Sequence, residues 1–574
     1  MKANVRGIIV AVAATVAWSL PVHAQQQPKL VLQITVDQFR GDYLHRFDHL
    51  LGEDGFRRLI DDGLWYADAH HRHANTETIV GHTTLATGTD PAVHGMVANV
   101  WFDRATNADV YNVQDADYPL IGAAGVDAET EIDPTQRAAT TQGRSPRAIR
   151  TTTISDEIAM HFGPKAKVFG VSVKDRGAIS MAGHAGTAYW FSKGDQRMVT
   201  STYYVDDYPA WVERWQDKGL IDSWANESWT LSRPRSDYLF GDADDQEWET
   251  SLGPYGRTFP HPYGAADGEL YGTLLTLSPA GDEIVADFAK TLIAEEDLGQ
   301  DEVPDYLSIS FSATDYVGHL FGPSSLEAED NFARLDRTLA DLFAFVDETV
   351  GLDQTLIVLA ADHGGADAPG FVAQYGVDGG YIDLAALDTQ PGIGRIKKRF
   401  GVGEALISKF SSPYLYLNRD VIRAEGLVQG EVERAVAAEL VLLPGIADAV
   451  SAEALREEPL ATSPVRDAVL ANFDPTRSGD IYVVFEPNWF IGDMDGLQVA
   501  VHHGSPWAYD THVPILIRGP GIGHGRISRR VETVDLAPTI AAYLGTKYPS
   551  GTRGRPLVEV FGEGAIAEAE KSDR

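Results

Sequence analysis

The sequence predicts an α/β fold with a largely parallel central sheet and helices on both faces. Three observations predict it. Short apolar, β-branched runs recur along the chain, helical patterns sit between several of them, and each run ends in or near a polar cluster.

Met1 to Ala24 reads as a secretory signal. Lys2 and Arg6 give the positive start, Gly7 to Leu20 the apolar centre, and Val22-His23-Ala24 the small-residue cleavage site before Gln25. The apolar run is short for an uncleaved membrane anchor, and no later segment is apolar and long enough to span a bilayer. The expectation is a mature chain from residue 25 to 574, periplasmic or secreted, with no stable membrane insertion.

The strands follow. Leu30 to Val36 comes first, then Lys167 to Val173, Tyr306 to Ser312, Thr355 to Ala360 and Val513 to Arg518. Helical patterns cover Ile154 to His161, Gly281 to Glu296 and Ala328 to Val350. Asp37 follows the first strand, Lys174-Asp175-Arg176 the second, Asp315 the third and Asp362-His363 the fourth. Open α/β sheets bind ligands beyond the carboxyl ends of their strands, so these remote residues fall where one site belongs. Two regions break the alternation. About 189–271 is rich in Trp, Tyr, Pro, Asp and Gly and reads as an irregular insertion over the site. Its Trp190, Tyr203, Tyr204, Trp211 and Trp215 either shape a leaving-group pocket or form the insertion's own small core. About 397–477 reads as a small α+β segment, with strands at Ser412 to Leu417 and Gly445 to Val450 around a helix at Gln429 to Leu442.

Carboxylates outnumber Lys and Arg by 83 to 47, a net charge of -36. Such a surface repels nucleic acid and anionic lipid. An anionic substrate must then be recruited by local positive charge. No cysteine is present, which excludes thiol nucleophiles, Cys zinc sites and cysteine-derived formylglycine.

Thr78, in Asn75-Thr76-Glu77-Thr78-Ile79-Val80-Gly81-His82, is a poor nucleophile alone, and a divalent cation would activate it. Asp315 and His319 lie four apart and share one face of a helix. Asp362 and His363 are adjacent at a strand end, where Gly364 and Gly365 permit a sharp turn. His512 precedes another apolar strand. Singly, each fits a helix cap, a surface group or a core histidine. Together they form two sets of N/O donors suited to zinc or a similar ion: Asp315, His319 and His512, and Asp37, Asp362, His363 with the Thr78 oxygen. Two ions about 3.5–4 Å apart can polarise both oxygens of an in-line displacement. Lys174 and Arg176 alternate across Asp175. At strand period they point to one side and could clamp a phosphoryl group, with Asp175 facing away.

Val36-Asp37-Gln38, Thr78 through Gly88, Pro91 through Gly95, Ala98 through Trp101, Lys174-Asp175-Arg176, Asp315 through His319, Asp362-His363-Gly364 and His503-Gly504-Ser505-Pro506 leading to His512-Val513-Pro514 resemble the alkaline phosphatase superfamily. The match is nearest its bacterial periplasmic PafA-like branch with a threonine nucleophile. The resemblance spans nearly the whole mature chain. It implies hydrolysis of small-molecule phosphate monoesters through a phosphothreonine at Thr78, two zinc ions held by the two sets above, and phosphoryl contacts from Asn99, Lys174 and Arg176. It also implies structural roles for His82 and His94. The alternative within the superfamily is a phosphodiesterase of the nucleotide pyrophosphatase type. Ile79-Val80-Gly81 departs from relatives that carry a proline before the Gly or Asn.

Overall fold

The computed structural model describes residues 27–126, 131–384, 386–456, 463–494 and 497–562. The signal segment Met1 to Ala24 lies outside the described residues. Among those described, no helix is long and apolar enough to cross a membrane.

The central sheet takes β1 (Leu30–Val36), β2 (Leu64–His70), β3 (Val168–Ser172), β4 (Thr187–Ser192), β5 (Arg197–Val199), β6 (Asp305–Phe311), β7 (Thr355–Ala360), β8 (His512–Arg518), β9 (Gly525–Ile527) and β10 (Val531–Glu532). Its order is β9-β2-β8-β7-β1-β6-β3-β4-β5, with β10 beside β2. β7, β1, β6, β3 and β4 run parallel. β8 runs antiparallel between β7 and β2. β1, β3, β6 and β7 are buried along their whole length, as a parallel sheet covered on both faces requires. The helices that matter for the site are α1 (Thr78–Thr87), α2 (Ile154–Phe162), α3 (Asp175–Ala182), α4 (Pro279–Glu295), α5 (Ala313–Phe321) and α6 (Leu326–Thr349). α2 starts on a full capping box, with Thr153 and Asp156 each bonding the other's backbone.

The segment 189–271 differs from the expected irregular cover. It begins as β4 and β5, the edge of the main sheet. Trp211, Trp215, Trp229, Tyr238, Tyr255 and Tyr271 are buried in one cluster with residues of α4 and α6. Aromatic side chains remove large areas from water, so they joined the nearest core and left no aromatic wall over the site. Trp190 is buried in a different cluster, beside Ile79 and Val80 of α1.

The later segment forms a four-stranded antiparallel sheet: Ile407–Ser411, Tyr414–Leu417, Ile481–Phe485 and Ile446–Ser451. Its side chains alternate with the strand period. Leu415, Leu417, Ile481, Val483 and Phe485 face its own helices, whereas Tyr414, Tyr416, Tyr482 and Val484 face the main body. This sheet therefore has a core of its own and a docking face.

Candidate active site

Four adjacent strands, β7, β1, β6 and β3, deliver the polar groups. Asp37 follows β1, Asp362 and His363 follow β7, Asp315 lies in the first turn of α5 after β6, and Lys174 follows β3. This is the carboxyl edge of the sheet.

One ligand-type cluster is Asp37, Asp362 and His363, all fully buried. His363 Nε2 lies 3.2 Å from Asp37 and 3.4 Å from Asp362, while its Nδ1 is held 2.8 Å from the Gly364 carbonyl. The second is Asp315, His319 and His503. Asp315 and His319 share one face of α5 at 3.3 Å, and His503 approaches the same carboxylate at 3.4 Å. His319 and His503 point their other nitrogens at the carbonyls of Val501 and Thr76, the orienting partners expected of ligating imidazoles. His363 and His503 stack with ring centroids 3.6 Å apart, one from each cluster.

His512 is not part of this pair of clusters, and its expected place is taken by His503. Because β8 runs antiparallel, His512 registers against His70 of β2. Its ring stacks on His70, with centroids 4.9 Å apart and planes at 19°, and its Nε2 sits 3.0 Å from the Ala67 carbonyl. Asp68 completes a third cluster there. An ion bound to imidazole lies in the ring plane, so two near-parallel stacked rings do not converge on one ion. His503 rides on a loop pinned to the end of α5, where Ala500 N–H donates to the His319 carbonyl.

The donor sets fit divalent cations. The Asp37 and Asp362 carboxylates are fully buried side by side, met by Lys174 Nζ at 2.7 Å, by His363 Nε2 at 3.2 and 3.4 Å and by His82 Nδ1 at 3.0 Å. Two buried carboxylates that close are costly unless cationic charge offsets them. Burial and the neighbouring Asp37 both raise the Asp362 carboxyl. Burial also works to raise Asp37, but the Lys174 ammonium, 2.7 Å away, and the His363 imidazole together outweigh it and hold that carboxyl below its usual range. Lys174 pairs with Asp315 as well, so its ammonium bridges one carboxylate from each set.

Thr78 is the first residue of α1, whose Glu77 N-cap is buried. The positive helix end favours charge developing on its oxygen. The departure at Ile79-Val80-Gly81 leaves the helix intact. Gly81 is needed there, because a Cβ would lie 1.9 Å from the Asp362 carbonyl oxygen. Gly364 serves a similar close approach, to Tyr509, and not a left-handed turn. Asn99 accepts the Ile79 N–H at 3.1 Å through Oδ1, which turns its amide NH₂ outward as a donor. Asn99's own N–H donates to Glu77, whose carboxyl burial pushes up to about 7.

Lys174 and Arg176 do not alternate along a strand. Lys174 caps α3 and Arg176 lies in its first turn, and the wide helical angle between them gives each a different partner. Arg176 reaches Asp133 at 3.0 Å and the Tyr111 hydroxyl at 3.4 Å. Its Nε is buried without a hydrogen bond. Asp175 does turn structural, accepting from Tyr111 and Arg144. His82 and His94 brace α1. His82 lies 2.9 Å from the Thr78 carbonyl and 2.8 Å from the Ser310 hydroxyl, and His94 lies 3.2 Å from the Thr84 hydroxyl.

Several site residues were given no role by the sequence reading. Gln38 adopts φ 60° and donates to Asp315 at 2.9 Å while its N–H meets Asp362 at 3.2 Å, tying the two clusters together. Asp133 behind Arg176, and Tyr316 between the ammonium groups of Lys174 (4.8 Å) and Lys193 (4.7 Å), are the others. His503 was visible as a motif residue but not as a ligand.

A family model described as type I phosphodiesterase / nucleotide pyrophosphatase matches residues 31–506. The chain belongs to that family, within the alkaline phosphatase superfamily. It is 33% identical over 93% of its length to a Myroides odoratus protein named calcium-transporting ATPase, covering 95% of it. It is 32% identical over 94% of its length to alkaline phosphatase PafA of Elizabethkingia meningoseptica, covering 96% of that protein. A crystal structure of wild-type PafA superposes with a TM-score of 0.85 at 31% identity, covering 93% of this chain and 99% of that one. Within the superfamily the chain falls in the PafA-like branch of alkaline phosphatases, which hydrolyse phosphate monoesters.

Proposed function

We propose that this hydrolysis runs through a covalent phosphothreonine on Thr78, at a site holding two zinc ions. The observation that carries the reading is the pair of buried Asp/His clusters set around the N-terminus of α1. Asp37, Asp362 and His363, with Thr78, would hold one ion, and Asp315, His319 and His503 the other. When bound, the ions supply positive charge that lowers the pKa of the Thr78 hydroxyl and of the leaving oxygen.

The chain's own groups do the rest. Thr78 Oγ1 forms a bond to phosphorus as the ester P–O bond breaks, and the alcohol departs with the electron pair and a proton. Water then attacks the phosphothreonine, releasing inorganic phosphate and restoring Thr78. The Asn99 amide, the Lys174 ammonium and the Arg176 guanidinium, with its free Nε–H, bind the equatorial oxygens on which charge is spread. Gln38 and the stacked His363–His503 pair fix the spacing of the two ligand sets. Export through the Met1–Ala24 signal, to the periplasm or out of the cell, is part of the same proposal.

The test is side-by-side hydrolysis of p-nitrophenyl phosphate and bis-p-nitrophenyl phosphate, with intact mass after acid quench. Wild type should prefer the monoester and trap one phosphoryl group. Thr78→Ala should abolish both activities and the adduct. A wild-type preference for the diester would promote the diesterase reading.

A further inference from the structure

Lys193 and Glu131 form a buried ion pair that the chemistry above does not use. Lys193 follows β4, the strand beside β3, which delivers Lys174. Its backbone is closely packed, since a Cβ at Gly272 would lie 2.1 Å from its carbonyl oxygen. The fold therefore fixes where this ammonium starts from. Taking two charges out of water is costly, and an apolar pair of similar volume often stabilises a fold as well. Stability alone does not account for the pair.

The surroundings of the ammonium do. Glu131 Oε1 accepts from Lys193 and also from the Asp133 N–H at 2.9 Å. Asp133 in turn caps the short helix Pro134–Arg137 and faces Arg176 at 3.0 Å. The same ammonium donates to the Tyr316 hydroxyl at 3.0 Å, and the Tyr316 ring lies 4.8 Å from the Lys174 ammonium. One buried cation thus fixes a neighbour of each clamp cation. Asp133 and Tyr316 line a small pocket of about 60 Å³ together with Asn99 and Arg176, whereas Lys193 and Glu131 are not among the described residues that line it. The pair can reach a bound phosphoryl group only through the residues it holds. Lys193 also balances charge. Without it, Glu131 and Asp133 would be two neighbouring carboxylates drawing on the Arg176 guanidinium.

We propose that Lys193, paired with Glu131, is a positioning residue for the phosphoryl clamp, given the reading of Lys174 and Arg176 as phosphoryl contacts. It holds Asp133 behind Arg176 and Tyr316 beside Lys174, and so supports the preference for the dianionic group of a monoester.

Lys193→Met alone would leave Glu131 charged and unpaired, so Glu131→Gln accompanies it. This paired variant should keep the metal content of wild type and lower kcat/KM for p-nitrophenyl phosphate about tenfold, with bis-p-nitrophenyl phosphate within about twofold. Tyr316→Phe is the second arm, and it changes no charge. It removes only the hydroxyl that Lys193 holds, and should cost the monoester about threefold with the same selectivity. In an Arg176→Ala background the paired change should cost about threefold or less, because its main target is gone. Equal losses on both esters in the paired variant and in Tyr316→Phe, additive with Arg176→Ala, would overturn the positioning role and leave the pair to the fold. Unchanged monoester turnover in both would overturn it too. A selective loss in Arg176→Ala with none in these variants would sink the positioning role alone, whereas no selective loss in Arg176→Ala would sink the clamp reading itself.

Discussion

The two halves of the site gather groups of opposite charge. In the ligand half, the buried carboxylates of Asp37 and Asp362 crowd around His363, with Lys174 2.7 Å from Asp37. In the clamp half, the buried guanidinium of Arg176 faces Asp133 and Tyr111 and keeps its Nε without a hydrogen bond. Acceptors packed that closely are satisfied by cations, and a guanidinium N–H is satisfied by an anion. The comparison teaches how a chain with so many surplus carboxylates handles a phosphoryl group. It gathers carboxylates where cations belong, and it backs its few buried cations with carboxylates that hold them in place and leave a donor to spare.

The largest expected effect comes from emptying the ligand half. Exhaustive chelation should lower activity by at least about 10³ and lower the melting temperature, because ions that bind the folded state stabilise it by mass action. Elemental analysis should find two divalent ions per chain before chelation. Full activity in chelated, metal-free protein would break the distinction between the halves.

The clamp comes next. Lys174→Ala and Arg176→Ala should each lower monoester turnover by about 10²–10³, the usual cost of removing a donor aimed at developing charge. Diester turnover should fall less, since a diester carries one charge fewer. Equal losses on both substrates would mean that the pair serves folding and not charge.

His503→Ala against His512→Ala tests which imidazole completes the second set. The first should lose at least about 10-fold in activity and one ion by elemental analysis. The second should keep both ions, with activity within about twofold, because it forfeits only contacts outside the two clusters, the stacking on His70 and the Ala67 carbonyl contact. The reverse result would restore His512 to the set.

How far the sequence carried this site depended on how locally each piece is specified. Strand ends and the four-residue spacing of Asp315 and His319 were legible, because hydrophobic period and helical geometry act within a few residues. The five strands read from the pattern all entered the central sheet. β2 was missed: Leu64–His70 mixes Trp, Tyr, Ala, Asp and His, and its half-buried positions blur the apolar signal. His512 misled for a different reason. Strand direction decides which way its ring faces, and direction is a long-range property of the sheet. Asp133 was invisible because nothing within its own segment refers to Arg176. The aromatic segment misled through composition, which records how much surface will be buried but not against which neighbour.

Asp133 gives the smallest and most discriminating effect. Burial alone would raise its carboxyl, but Arg176, with Lys193 and Lys174 beyond it, reverses that and keeps it ionised. One oxygen accepts from Thr135 at 2.9 Å and the other faces Arg176 at 3.0 Å. Asp133→Asn keeps the size and the Thr135 contact and removes the charge. Two consequences oppose each other. The guanidinium loses the partner that orders it, which slows the chemical step, and it no longer shares its charge, which strengthens its pull on a free phosphate. The outcome should therefore split: monoester kcat falls about tenfold while inhibition by inorganic phosphate holds or tightens. In an Arg176→Ala background the same substitution should add little, since the two act as one unit. If kcat and phosphate affinity fall together, and the losses add in the double variant, Asp133 serves the fold and not the clamp.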